Sequence, residues 1–249
     1  MSSAFHQFNS EIMNTINKIA VITGASKGIG RAVALGLSKM DFQTVLIGRN
    51  TVNLDEVSHK VLKQGGVKPV IYKLDITDSK SVKKTVQDIV GRFGGIDILV
   101  NNAGIHFDGT LELSEGDFKT MLDTNLIAQF VFLQEVVPVM KQRQSGHIFN
   151  VASRSGKTGF AGSGGYCASK FGLVGLNESL YRELVPQGIK VTALCPAWVN
   201  TDMAFKSGTP LEPNEMIQPE DIFETIRWLM KLSPGACVKE VVIANPLSL

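Results

Sequence analysis

The sequence predicts an α/β fold: one doubly wound parallel sheet of about seven strands with helices on both faces. Short β-rich runs alternate with longer runs of helical periodicity, the pattern of repeated β–α–β crossovers. Several short runs, IDILV at 96–100 and VTALC at 191–195 among them, are apolar at nearly every position, as strands buried on both faces of a parallel sheet are. No low-complexity stretch or interior linker divides the chain, and 249 residues with 44% hydrophobic composition suffice for one sizeable core.

In chain order, strands are predicted at Ile19–Thr23, Thr44–Gly48, Pro69–Leu74, Ile96–Val100, His147–Val151, Lys190–Cys195 and Glu240–Ile243. A helix over Gly28–Lys39 carries Ile29, Val33, Leu35 and Leu37, and one over Ser79–Phe93 carries Val82, Val86, Ile89 and Val90. Long helical stretches follow at about Ser114–Gln142 and Ser163–Val185, and a last one over Pro219–Lys231 with proline in its first turn. Asn200–Gln218 holds Gly208, Pro210 and Pro213 with little periodicity, and reads as a loop able to cover a substrate. Residues 1–17 have neither a basic start nor an apolar core, so they read as an N-terminal extension, with one domain over 18–249.

Composition excludes several functions. The net charge is +2 with both signs interspersed, unlike the basic face of a nucleic-acid binder. No apolar run reaches membrane-spanning length. Cys167, Cys195 and Cys237 form no CxxC pair and read as reduced thiols of a cytoplasmic protein. His6, His59, His106 and His147 lack metal-ligand spacing, so no metal is expected.

The chemistry starts after the first strand. Thr23-Gly24-Ala25-Ser26-Lys27-Gly28-Ile29-Gly30 opens the first helix with glycines spaced G-x-x-x-G-x-G. Such a turn lets backbone N–H groups approach a pyrophosphate at the positive end of a helix. The simpler alternative is a glycine turn with no ligand. Asn101-Asn102-Ala103-Gly104 follows the fourth strand, Ser153 the fifth, and Tyr166-Cys167-Ala168-Ser169-Lys170 stands on the next helix. Together and in this order the motifs resemble the short-chain dehydrogenase/reductase family, over about Lys18 to the C-terminus, and in particular its 3-oxoacyl-acyl-carrier-protein reductases.

The resemblance implies a Rossmann-type fold that binds NADP(H) and passes hydride between the nicotinamide and a small-molecule carbonyl or alcohol. Gly24, Ser26, Lys27, Gly28, Ile29 and Gly30 would hold the diphosphate side. Asp75 would meet the adenine, Asn102, Ala103 and Gly104 would line the strand end, and Asn101 would support the central strand and the adenosine side. Pro196-Ala197-Trp198-Val199-Asn200-Thr201 resembles the family's P-G-x-V-x-T segment, so Pro196, Val199 and Thr201 fall at the nicotinamide, with alanine at 197 in place of glycine. Asp75 could instead be a helix cap, and NNAG an ordinary turn.

Tyr166 and Lys170, four residues apart, share one face of a helix. A phenol with its usual pKa of about 10 is a poor acid–base at neutrality, and a nearby ammonium together with the positive ring of an oxidised nicotinamide favours its phenolate. Tyr166 can then exchange a proton with the substrate oxygen, while Ser153 donates a hydrogen bond to it. By resemblance Asn125 completes this set, holding a water that links Lys170 to solvent.

Cofactor choice is read at the second strand end. By resemblance Gly48 occupies the position where NAD-preferring members carry a carboxylate. Arg49 follows and can hold a 2′-phosphate in bidentate fashion, with Lys27 on the same side. Both could instead be solvated surface charges. His106, Phe160, Trp198, Met203 and Phe205 are expected to border an apolar, partly aromatic substrate pocket. Carrier-protein-dependent members often place basic residues beside the site mouth; by resemblance Gln144 and Gln187 match those positions, so delivery by an acyl carrier protein is not expected. The apolar excess on the two long helices predicts a homo-oligomer, a tetramer or dimer. The alternative to an enzyme is a cofactor-binding regulator of the same fold without turnover.

Overall fold

The computed structural model describes residues 18–248; the expectation for residues 1–17 lies outside the described residues. The strands are β1 Ile19–Thr23, β2 Gln43–Gly48, β3 Val70–Lys73, β4 Ile98–Asn101, β5 Gly146–Val151, β6 Ile189–Pro196 and β7 Glu240–Ile243. They form one seven-stranded sheet in the order β3-β2-β1-β4-β5-β6-β7. Every neighbouring pair is parallel. The order reverses between β1 and β4, and at that switch the connections leave on opposite faces and open a crevice beyond the carboxyl ends of the strands.

The helices are α1 Gly28–Ser38, α2 Thr51–Lys63, α3 Ser79–Phe93, α4 Glu115–Leu122, α5 Ala128–Arg143, α6 Gly164–Leu184, α7 Asp202–Lys206 and α8 Pro219–Lys231. Alternation along the strands decides which helix each residue meets. Val21, Leu99 and Ile148 point to a cluster with Val82 and Val86 of α3 and Phe132 and Val136 of α5. Ile22, Val100 and Phe149 point the other way, to Val33 and Leu37 of α1, Leu54 of α2 and Ile226 of α8. Phe132 and Phe149 are fully buried, one in each layer, and truncating either to alanine should remove about 3–5 kcal/mol.

Strand and helix ends fall within about two residues of the sequence reading. Three differences matter. Thr51–Lys63 is a helix that the sequence reading leaves unassigned: Asn50 caps it by accepting from Asn53 N at 3.1 Å, and Leu54, Val57 and Val61 make its buried stripe. The stretch expected as one helix over 114–142 contains a π-helical turn at Asp123–Ile127, between α4 and α5. The stretch expected as a loop over 200–218 contains α7, and its two ends are tied: Asn200 N donates to Ile217 O at 2.8 Å and Ile217 N to Trp198 O at 3.0 Å. Among the described residues no helix is long and apolar enough to cross a membrane.

Candidate active site

Beyond Thr23 the chain turns through Gly24 and Gly28, at φ 63° and 53°, a region that only glycine enters without strain. A Cβ at Gly30 would stand 2.3 Å from the Gly24 carbonyl oxygen, so turn and helix approach this closely only as glycine. Asn102 rivets the turn to the end of β4. Its Nδ2 donates to Thr23 O at 2.9 Å and Gly24 O at 3.2 Å. Thr23, which the sequence reading did not single out, returns the contact: its Oγ1 accepts from the backbone N–H groups of Asn102 at 2.9 Å and Ala103 at 3.0 Å. The start of α1 has no side-chain cap, whereas α2 and α3 are capped by Asn50 and Asp78. Free N–H donors, a positive helix end and a glycine-lined approach are the features an anionic diphosphate requires.

A cleft of about 960 Å³ runs along the carboxyl ends of the strands. Gly24, Ser26, Lys27, Gly28, Ile29, Arg49 and Asp75 line one end of it. Asn102, Ala103, Gly104, Pro196, Val199 and Thr201 line its middle, and Ser153, Tyr166 and Lys170 its inner end. Two expected site residues are absent from its wall. Gly30 sits behind Gly24, and Asn125 is wholly buried. Asn101 is also wholly buried, donating from Nδ2 to Asn150 Oδ1 at 3.2 Å, which ties β4 to β5.

At the end lined by the glycine turn Arg49 stands 3.8 Å from Asp75, and Lys27 bonds Asp202 of α7 at 2.9 Å. Asp75 is not a helix cap; Asp78 is. The Asp75 carboxylate closes a turn by accepting from Thr77 N at 3.0 Å and Thr77 Oγ1 at 2.8 Å, and these bonds hold its pKa below the usual range. A Cβ at Gly48 would meet only Leu54 carbons, at 3.6 Å, an ordinary contact.

At the inner end, the Ser153 hydroxyl accepts from Ser155 N at 3.0 Å and hydrogen-bonds the Tyr166 phenol. Lys170 donates to Val151 O at 2.9 Å, and its ammonium lies 5.7 Å from the centre of the Tyr166 ring. Burial pushes the phenol up to about 12, against the pull of the Ser153 hydrogen bond, and pushes Lys170 down to about 8. In the protein alone, desolvation is the largest influence on the phenol and keeps it protonated. Asn125 lies in the π-helical turn, where one extra residue per turn redirects the backbone. It grips Ile105 from both sides, accepting from its N at 2.8 Å and donating to its O at 2.8 Å, and reaches Ser169 Oγ at 3.1 Å. It thereby braces the strand-end loop against α6.

Residues 18–211 match the description "short chain dehydrogenase" as a family. The chain belongs to that family. As a short chain dehydrogenase it is 35% identical, over 189 residues, to a 3-oxoacyl-acyl-carrier-protein reductase of Staphylococcus epidermidis, covering 76% of this chain and 78% of that one. Its fold is similar to a crystal structure of a β-ketoacyl-ACP reductase from Bacteroides thetaiotaomicron, with a TM-score of 0.83, 44% identity and coverage of 93% and 97%. It is also similar to an alcohol dehydrogenase from Thermococcus sibiricus complexed with 5-hydroxy-NADP, with a TM-score of 0.85, 28% identity and coverage of 93% and 98%.

Within this dehydrogenase two further expectations change. His106, Phe160, Trp198 and Met203 line the cleft, but Phe205 does not; it faces a separate hollow beside Lys27 and Arg31. Helical rotation across α7 puts Phe205 on a different side from Met203. Gln144 and Gln187 do not flank the mouth. They precede β5 and β6, at the amino ends of strands whose carboxyl ends carry the site. Ala197 takes no left-handed conformation; among the described residues only Asp41 and Gln144 do so without being glycine. The ties from Lys27 to Asp202 and from His106 to Ser207 were invisible in sequence because they join residues 175 and 101 positions apart.

Proposed function

We propose that this dehydrogenase uses NADP(H) and passes hydride between the nicotinamide and a carbonyl or alcohol carbon, with an apolar ketone, such as a 3-oxoacyl thioester, as the substrate class. The observation that carries the reading is one cleft with Arg49 beside its uncapped helix start and the Ser153–Tyr166 hydrogen bond at its inner end. The cofactor, when bound, supplies the hydride and, once oxidised, a positive ring.

The remaining steps belong to the chain. Ser153 and Tyr166 together receive the substrate oxygen, each through a hydroxyl. In reduction Tyr166 gives its proton to that oxygen as charge develops there. With a pKa near 12 in the protein alone the phenol stays protonated across the neutral range, the form a proton donor needs. Lys170 stands beneath the ring and stabilises the phenolate left behind. Asn125 positions Ile105, and Gly104 leaves room for Asn125: a Cβ there would lie 3.2 Å from its Oδ1.

Support for NADP(H) comes from Arg49 and Lys27 at the adenosine end, from the lack of a carboxylate at 48, and from the NADP analogue in the Thermococcus sibiricus relative. The same proposal includes a cytoplasmic location, supported by three free cysteines. It also includes a homo-oligomer. Ile127, Phe130 and Phe171 are 50%, 43% and 46% exposed along the π-helical turn, α5 and α6, more apolar surface than a lone protomer needs there. The deciding experiment is NADPH oxidation with aliphatic and aromatic ketones and 3-oxoacyl thioesters. Turnover abolished in Tyr166→Phe supports the reading; NADPH binding without turnover on any of them makes the chain a cofactor-binding regulator.

A further inference from the structure

His106 belongs to no part of the proton pathway, yet its ring meets the edge of Tyr166 at 4.8 Å between centroids and 67° between planes. It lines the cleft and its side chain is 10% exposed. Its Nδ1 has two neighbours. Ser207 Oγ, at the end of α7, lies 2.9 Å away, and an Asp108 carboxylate oxygen 3.7 Å away.

Proton accounting sets the tautomer. The Ser207 hydroxyl reaches Met203 O at 2.8 Å, and with its proton directed there Oγ offers Nδ1 only a lone pair. The Asp108 carboxylate is likewise an acceptor. Nδ1 therefore carries the hydrogen. Burial keeps the imidazole below its usual range, against the pull of Asp108, so the ring is neutral at physiological pH. Nε2 is then a bare acceptor. It has no hydrogen-bond partner among the described residues, and the His106 side chain lines the cleft.

We propose that His106 is a specificity-determining residue whose Nε2 accepts a hydrogen bond from a hydroxyl on the carbon next to the reacting carbonyl, making α-hydroxy ketones the preferred substrate class. Tyr166 takes the carbonyl oxygen, so a ring packed against Tyr166 meets the substituent of the neighbouring carbon. Reduction of such a ketone adds hydride to the carbonyl carbon and the Tyr166 proton to its oxygen, giving a vicinal diol and oxidised cofactor. The rest of the substrate stays apolar, against Phe160, Trp198 and Met203. Ser207 is a positioning residue, and because it sits at the end of α7, recognition of the hydroxyl is coupled to how the 199–217 segment lies over the cleft.

This rests on the reductase reading above, and the test separates the two. The probes are 2-hydroxyacetophenone and propiophenone, which differ by hydroxyl against methyl at that carbon. The readout is the ratio of their kcat/KM values with NADPH. The wild-type ratio should exceed that of His106→Phe by about 10-fold, the effect of one matched hydrogen bond in a dry site. His106→Gln, which keeps an acceptor, should restore part of it, and Ser207→Ala should lower it. An equal ratio in wild type and His106→Phe overturns the proposal and leaves the reductase reading standing. Turnover of neither ketone nor any other carbonyl overturns both. A second measurement needs no variant: ¹⁵N spectra of histidine-labelled protein with NADPH should show the Nδ1–H tautomer at His106 and a shift of Nε2 when 2-hydroxyacetophenone is added. The Nε2–H tautomer, or no shift, sinks the assignment.

Discussion

At the inner end of the cleft the ionisable groups are enclosed, whereas at the glycine-turn end they stand in water. Lys170 is 3% exposed, while the side chains of Arg49 and Lys27 are 72% and 58% exposed. Enclosure moves Lys170 down to about 8 and Tyr166 up to about 12. At the open end the ion pairs Arg49–Asp75 and Lys27–Asp202 are worth about 0–1 kcal/mol each in water. A phosphate can therefore displace either carboxylate at little cost. The lesson is that one end is built for a fixed proton and the other for exchangeable charge. Substitutions at the first should change rate, and at the second should change affinity.

The largest expected effect is at the enclosed end. Tyr166→Phe should retain NADPH binding and lose roughly 10²–10⁴-fold in kcat, the range for removing a general acid. Cofactor fluorescence titration and steady-state rates check both halves; near wild-type kcat would break the comparison at its strongest point.

Arg49→Ala tests the open end. KM for NADPH should rise about 10-fold, the size of one charged hydrogen bond, with KM for NADH nearly unchanged. Gly48→Asp should turn preference toward NADH by repelling the phosphate and accepting from the ribose hydroxyls, and the space beside Leu54 admits the new side chain. A wild-type preference for NADH would show that these cations serve only their carboxylates.

A smaller effect separates stability from function. The pKa of Lys170 is depressed from 10.5 to about 8 on folding. Between those values the folded protein holds fewer protons there than the unfolded chain, so stability rises with pH across that window. Below it the buried charge is a full penalty. Lys170→Met should therefore be inactive yet more stable at neutral pH, with Tm higher by roughly 2–4 °C per kcal/mol relieved. The gain should shrink as pH climbs past about 8; one that stays constant would mean the ammonium is neutral or solvated. The smallest effect belongs to Lys27–Asp202. Asp202→Asn should change Tm by about 1–2 °C or less, and raising salt should erase the difference.

Much of this was legible before any coordinates. Runs such as VTALC read as buried parallel strands because both faces of each are covered. Tyr166 and Lys170 read as a pair because helical spacing is local, and Ser153 joined them as the residue just beyond a strand. The helix at Thr51–Lys63 escaped because its stripe is only Leu54, Val57 and Val61 amid polar residues, and its cap, Asn50, looks like any loop residue. The π-helical turn escaped because periodicity over 114–142 blurs when a single residue is inserted.

The sequence by itself determined the succession of strands along the chain, the glycine turn and the residue types of the candidate site, because each rests on neighbours a few positions apart. Tertiary structure alone decided how far Tyr166 and Lys170 are desolvated, that Phe205 turns away from the cleft, that Gln144 and Gln187 lie at the far end of the sheet, and that His106 is held by Ser207. These depend on which distant segments the crossovers bring together, and on how much water remains between them once they meet.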